Sequence, residues 1–164
     1  MPHVPFDDLP SDARLWIFPA SRPLTDEEQR QVVAETDAFI DQWMAHGIPL
    51  RAAREIRYGQ FVLVGVDERA AGVSGCSIDA LVRRMAHLES ALRVELTNNG
   101  PVLYREGDSI ERVPRDRFAA LAGQGKVGRE TVVFDNTVGT VGEVRSGRWE
   151  VKAGETWHGQ AFFE

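Results

Sequence analysis

The single cysteine of this 164-residue chain, Cys76, lies in the segment 73–79, whose sequence is VSGCSID. An apolar run that predicts a strand precedes this segment, and an amphipathic pattern that predicts a helix follows it. The first turn of a helix has unpaired N–H groups and the positive end of the helix dipole, which favour a negatively charged thiolate. The position therefore suits a nucleophilic cysteine, with Asp79 as an orienting acid and His158 as a base that the fold brings near.

A structural role explains the same segment more simply. Ser74, Cys76 and Ser77 have short side chains suited to capping a helix, and Asp79 suits a first helical turn. A free cysteine is also commonly a small buried residue with no reactivity. The sequence favours this structural interpretation, and thiol chemistry stays open as the alternative.

Five residues in and just before this segment are candidate ligand-binding residues. Asp67 and Glu68 follow the apolar run, at a sheet end where ligands often bind, and could hold a cation or act as a base. Ser74, Gly75 and Ser77, at the predicted helix start, complete the set. The spacing gives Asp67 and Glu68 no second acidic partner, and charged residues at strand ends are usually only solvated.

No metal site and no cofactor are predicted. The histidines, His3, His46, His87 and His158, form neither a His-x-His nor a His-Glu-x-x-His pattern, and a lone cysteine cannot form a thiolate cluster. His46 and His87 are alternatives to His158 as a base for the cysteine. A phosphate-binding loop requires Gly, four residues and Gly-Lys followed by Ser or Thr. The segment 120–127 has alanine in the first glycine position and valine after the lysine.

Composition predicts a globular, cytoplasmic protein. A content of 43% apolar and 27% charged residues fits one core of ordinary size. The net charge of −6 and a pI near 5.3 argue against a nucleic-acid partner. No apolar run reaches the roughly 20 residues that span a bilayer, so no membrane contact is expected. A lone cysteine fits a reducing compartment, and residues 1–13 are expected to be a loose leader without the features of a signal peptide.

The order of predicted elements indicates an α+β fold. A capping box at Thr25 and Glu28 begins the first helix, and Gly47 is interpreted as its left-handed stop. Strands are predicted on either side of this helix and of the second one, at 15–18, 50–57, 61–66, 102–104 and 109–113, with the second helix at 78–92. This order is that of a ferredoxin-like split β-α-β core, an antiparallel sheet with two helices on one face.

The predicted core covers residues 14–113 of a single α+β domain, 14–164. The rest, 114–164, is expected to be a β-rich extension of that domain. Its aromatic residues near the end of the sequence predict a tail that is held against the body of the protein.

Several segments of the sequence resemble a family of small uncharacterised bacterial proteins that often carry the label "ABC transporter ATPase". The segments are 24–28 (LTDEE), 43–47 (WMAHG), 66–68 (VDE), 74–79 (SGCSID) and the Trp-His pair at 157–158. The likeness covers most of residues 14–95, and 75–79 is its sharpest element. The chain lacks the phosphate loop and the magnesium-binding strand motif that such a label requires. The resemblance therefore implies that these positions matter and implies no activity.

Two functional hypotheses follow from the sequence. The leading one is a non-catalytic or small-ligand-binding protein, with a homodimer formed through a sheet edge or the aromatic tail. The competing one is a thiol-dependent enzyme or redox sensor in which Cys76 is the nucleophile. Exposure of Cys76 is the property that distinguishes them.

Overall fold

Both units of the chain combine antiparallel sheet with α-helix in this computed structural model, which describes residues 3–164. The N-terminal unit consists of residues 3–98 and Gly139–Gly142, and the C-terminal unit consists of Asn99–Val138 and Glu143–Glu164. The predicted α+β class is confirmed. The division after Asn98 differs from the expected one after residue 113, because the strands at 102–113 belong to the second sheet.

The sheet of the N-terminal unit is built around one central strand. In chain order, the described elements of this unit are β1 (Arg14–Pro19), α1 (Asp26–Gln42), β2 (Met44–Ala45), β3 (Ile48–Pro49), β4 (Arg51–Arg57), β5 (Phe61–Asp67) and α2 (Gly75–Leu92). Strand β5 lies between β1 and β4 and is antiparallel to both, with Leu63 opposite Ile17 and Glu55. Every residue of β5 is buried, as its continuous apolar run predicts. Strands β2 and β3 form a separate hairpin.

The ferredoxin-like arrangement is not confirmed. The sheet of the N-terminal unit has three strands, in the order β1-β5-β4, within the described residues. The segment predicted as its fourth strand is β6 (Val102–Glu106), which pairs instead with the following hairpin strand and with a strand near Val133. An apolar alternation identifies an extended segment but not the strand with which it pairs, because pairing is decided by distant residues.

Helix α1 begins where the sequence predicts and ends earlier. The Oγ1 of Thr25 accepts a hydrogen bond from the Glu28 N–H at 3.1 Å, and Glu28 accepts one from the Thr25 N–H at 2.9 Å. The helix ends at Gln42, so the interpretation of Gly47 as its stop is wrong. With a φ of +78°, Gly47 instead lies in the turn of the β2–β3 hairpin beside His46, whose φ is +52°. Two successive residues with positive φ are typical of a tight hairpin turn.

Both helices pack on one face of this sheet. Alternate residues of β5 share a core with Leu81 and Met85 of α2. These residues of β5 are Val62, Val64 and Val66. Further buried apolar residues of that core come from α1 and its flanks, namely Leu24, Val32, Ile40 and Trp43. The remaining alternate residues of β5 therefore face the opposite side of the sheet.

The segment 3–13, which was expected to be a loose leader, covers part of the opposite face of β5. Val4, Leu9 and Ala13 are buried, and the Val4 N–H donates to the Ala52 carbonyl at 2.9 Å. Leu9 occupies the space beside Gly65, where an added Cβ would lie 2.6 Å from the Leu9 Cδ1 atom. The segment is ordered against the sheet because a strand buried on both faces requires an apolar cover on each.

The C-terminal unit has its own sheet and core. The remaining elements, in chain order, are β6, β7 (Ser109–Val113), α3 (Arg115–Gly123), β8 (Val132–Phe134), α4 (Val141–Arg145), β9 (Glu150–Lys152) and α5 (Trp157–Phe162). The first two residues of α4 belong to the N-terminal unit. The strand order is β7-β6-β8-β9, with antiparallel pairing throughout. Phe118 of α3 lies at the centre of this core, with its ring centroid 4.9 Å from that of Phe162. The aromatic tail is therefore packed against the body of its unit.

Candidate functional site

An open cleft on the N-terminal unit brings several of the predicted site residues together. Its volume is about 970 Å³, and one wall is the start of α2, with Ser74, Gly75, Cys76 and Ser77. The other lining residues come from the end of α1, from the β2–β3 hairpin and from the second and third turns of α2: Ala38, Phe39, Gln42, Trp43, Met44, His46, Ala80 and Arg84.

The two serines at the start of α2 cap the helix, as the structural interpretation predicts. The Ser77 N–H donates to the Ser74 Oγ at 3.1 Å, and the Ser74 N–H donates to the Ser77 Oγ at 2.7 Å. Ser77 also donates its hydroxyl hydrogen to the Ser74 carbonyl at 2.8 Å. Their hydroxyl groups are therefore engaged within the chain, whereas Cys76 is exposed.

Trp43 fixes the aromatic wall of the cleft. Its Nε1–H donates to the Ser77 carbonyl at 2.8 Å, which ties the end of α1 to the first turn of α2. The ring packs against Phe39 at a centroid distance of 5.1 Å and against Trp16 at 6.2 Å. Because Trp43 is held by a hydrogen bond and by two ring contacts, the wall is rigid before any ligand binds.

The hairpin between β2 and β3 lies at the mouth of the cleft. Met44 is 50% exposed and lines the cleft together with His46. This hairpin was not predicted from the sequence. The signal that could have revealed it is the His46-Gly47 pair between two short apolar segments. Two-residue hairpin loops favour glycine at the second position, because the backbone there has a positive φ.

A smaller cleft of about 340 Å³ continues from the first one along the two helices. It shares Phe39, Ala80 and Arg84 with the first cleft and adds Arg83 and His87 of α2. The His87 Nε2 lies 3.8 Å from a carboxylate oxygen of Glu35 on α1. We call the two clefts together the interhelical groove.

Asp67 is not among the lining residues of the groove and has structural partners of its own. Its buried carboxylate accepts hydrogen bonds from the Arg69 guanidinium, at 2.9 Å from Nε and 2.6 Å from Nη2. The Arg51 guanidinium lies 3.6 Å away. The hydrogen bonds from Arg69 hold the pKa of Asp67 below its ordinary value, although burial acts in the opposite direction. The carboxylate therefore stays charged near neutral pH and anchors the end of β5.

Glu68 and Asp79 also lie outside the set of residues that line the groove. The Glu68 carboxylate accepts a hydrogen bond from the Val73 N–H at 3.0 Å and so closes the loop that leads into α2. Asp79 is exposed on α2 and lies beyond the first turn of this helix, although it was expected in that turn. Of the two carboxylates, Glu68 thus has a clear structural role.

His158 lies in the C-terminal unit and is 2% exposed. Its ring stacks on Trp157 at a centroid distance of 3.8 Å, and its Nδ1 lies 3.5 Å from the Thr156 hydroxyl, which itself contacts Asp135 at 3.1 Å. Burial is the main reason that the pKa of His158 is lowered to about 4. The charge of Asp135 raises this pKa by a smaller amount, and the charge of Arg115 lowers it further. Its imidazole is therefore neutral at pH 7 and enclosed by its own unit.

Two properties of the described residues bear on the class of site. No group of three or more His, Cys, Asp or Glu side chains within residues 3–164 could hold a metal ion. No helix in the same range is both long and apolar enough to cross a membrane.

Comparisons with protein-family models, with curated proteins and with solved structures gave no match.

Proposed function

We propose that the protein binds a small molecule in the interhelical groove, with a flat apolar part of that molecule against the half-buried ring of Phe39, which packs on the buried Trp43. The observation that carries this proposal is the larger cleft, whose volume of about 970 Å³ is at the upper end of the usual range for ligand sites. Its aromatic wall is rigid, so binding does not require the wall to be ordered first. Backbone and thiol groups at the start of α2 supply polar contacts opposite that wall.

Filling the groove tests this function. Ala80 lines both clefts, so the substitution Ala80→Phe places a ring where the ligand would lie. We expect 2-naphthamide, a flat neutral probe, to bind the unmodified protein in isothermal titration calorimetry and to lose measurable binding in this variant. The matched control is Ala86→Phe, which adds the same ring to an exposed position of α2 outside the groove. Absence of binding to the unmodified protein, or equal binding to both variants, would contradict the proposal.

Thiol chemistry in the same cleft is the second candidate function. The observation that favours it is that Cys76 is exposed and lines the cleft together with His46, one of the bases considered from the sequence. In this alternative, Cys76 would react with an electrophilic or oxidising ligand that the groove holds, as a thiol-dependent enzyme or a redox sensor does.

The rate at which iodoacetamide alkylates Cys76 separates the two candidates. The reaction forms an S–C bond and releases iodide, and mass spectrometry counts the adduct. If Cys76 has a chemical function, the native protein should react several-fold faster than the urea-unfolded protein at the same pH, because the unfolded thiol is unassisted. A native rate equal to or below the unfolded rate would contradict thiol chemistry and leave ligand binding as the function.

We also propose that the protein is related to the small bacterial proteins labelled "ABC transporter ATPase", which it resembles. We further propose that it is cytoplasmic and that it forms a homodimer. In support of the resemblance, its sharpest element, 75–79, is the beginning of α2, and three of its residues line the cleft. In support of self-association, Met44 and Ile48 of the hairpin are exposed apolar residues. Native mass spectrometry of the purified protein would report both the oligomeric state and any retained ligand.

A further inference from the structure

Building on the proposed function, we propose that the ligand of the interhelical groove carries a carboxylate or phosphate group, which binds to Arg83 and Arg84 of α2. The apolar part of the ligand would lie on the aromatic wall, and its anionic group would lie in the smaller cleft. The two clefts can hold parts of one molecule because Phe39, Ala80 and Arg84 line both.

The charge of the groove is opposite to that of the protein. The chain has 25 acidic and 19 basic residues, yet no Asp or Glu is among the described residues that line either cleft. The charged side chains in the lining are instead those of Arg83 and Arg84. A concave surface lined by one sign of charge attracts ligands of the other sign, and here the attracted ligand is an anion.

The two arginines are available to a ligand. Neither Arg83 nor Arg84 has an ion pair or side-chain hydrogen bond within residues 3–164, although Asp79 stands one helical turn before Arg83. In the same unit, Arg22 and Arg54 each bind a carboxylate through two hydrogen bonds. A guanidinium presents its donors in a fixed fork that matches carboxylate and phosphate oxygens, so this pair of side chains suits such a group.

One carboxylate near this end of the groove is that of Glu35, on α1. It lies 3.8 Å from the His87 Nε2, so it faces the imidazole. The start of α2 adds no negative charge, because its first turn contains no acidic residue, whereas the first turn of α1 contains Asp26, Glu27 and Glu28. The positive end of the α2 dipole is therefore not neutralised by a side chain of its own first turn.

Matched probes test the charge separately from the groove. We would titrate the protein with 2-naphthoate, 2-naphthyl phosphate and neutral 2-naphthamide in low-salt buffer, using isothermal titration calorimetry. The three probes share one ring system, so their differences report the anionic group. We expect at least one anionic probe to bind about tenfold or more tightly than the amide, as a charge-assisted contact would give, and to lose this advantage in high salt. The tighter anion identifies which of the two groups the site prefers.

A double variant locates the effect. Arg83→Ala combined with Arg84→Ala should abolish the difference in affinity between the anionic probe and the amide. The control, Arg117→Ala combined with Arg148→Ala, removes the same charge from exposed positions of the C-terminal unit and should retain the preference. Equal binding of all three probes, or equal losses in both double variants, would overturn this inference and leave the proposed function intact. If none of the probes binds, the proposed function fails and the inference fails with it.

Discussion

Replacing Trp43 with alanine is expected to lower the free energy of unfolding by about 3 to 5 kcal/mol, the usual cost of truncating a buried tryptophan. The side chain is 3% exposed and belongs to the core beneath both helices of the N-terminal unit. Its loss removes the ring contacts with Trp16 and Phe39 and leaves the Ser77 carbonyl without its indole donor. Urea unfolding followed by circular dichroism measures the change, because this signal does not depend on tryptophan fluorescence.

The variant Trp43→Phe is the matched control for that experiment. It keeps an aromatic ring in the wall and removes the Nε1–H donor, so its cost should be about 1 to 2 kcal/mol. Binding of 2-naphthamide should survive in this variant if the ring forms the wall. A cost below about 1 kcal/mol for the alanine variant would show that Trp43 does not hold α1 to α2 as we describe.

Acidification from pH 7 to pH 4.5 is expected to lower the free energy of unfolding, and His158 should account for about 2 to 3 kcal/mol of that loss. Burial lowers the pKa of this imidazole to about 4 in the folded protein, whereas its ordinary value is 6.5. Between these two values the unfolded chain binds a proton that the folded chain does not bind. Protonation therefore favours the unfolded chain over this range, and the contribution of His158 is fully present only above about pH 6.5.

The variant His158→Gln should flatten the dependence on pH between 6.5 and 4.5, measured by urea unfolding at a series of pH values. Glu28 and Asp67 act at lower pH, because hydrogen bonds from arginine lower the pKa of Glu28 to about 2 and also lower that of Asp67. Their contributions are lost as these carboxylates become protonated. An unchanged slope in His158→Gln would contradict the assignment to this residue.

The parts of the fold that the sequence predicted are those decided by nearby residues. The capping box at Thr25, the capping role of Ser74 and the buried run of β5 depend on a few adjacent side chains, and the structure contains all three. The partner of β6 and the end of α1 were not predictable in the same way. Strand pairing depends on residues far apart in sequence. The end of α1 depends on the β2–β3 hairpin that follows it, and each strand of this hairpin has only two residues.

The candidate site was predicted in part for a similar reason. The segment 74–77 was recognisable because its residue types have chemical meaning on their own. Phe39 and Trp43 were interpreted only as part of an apolar stripe, since spacing assigns residues to a helix face and does not show that the edge of this face borders a cleft. His158 was chosen for its chemistry, whereas its burial in the C-terminal unit depends on contacts that no local pattern shows.

The cover over Gly65 has a consequence for how the protein is made. An added Cβ at Gly65 would meet Leu9 at 2.6 Å and Val141 at 3.3 Å, so this part of the central strand is enclosed by two residues that are far apart in the sequence. Chains emerge from the ribosome with the N-terminus first, and domains generally fold as they emerge. The N-terminal unit is an exception, because a nascent chain that has not reached Val141 lacks part of the cover. Its folding is completed only when most of the C-terminal unit has also been synthesised.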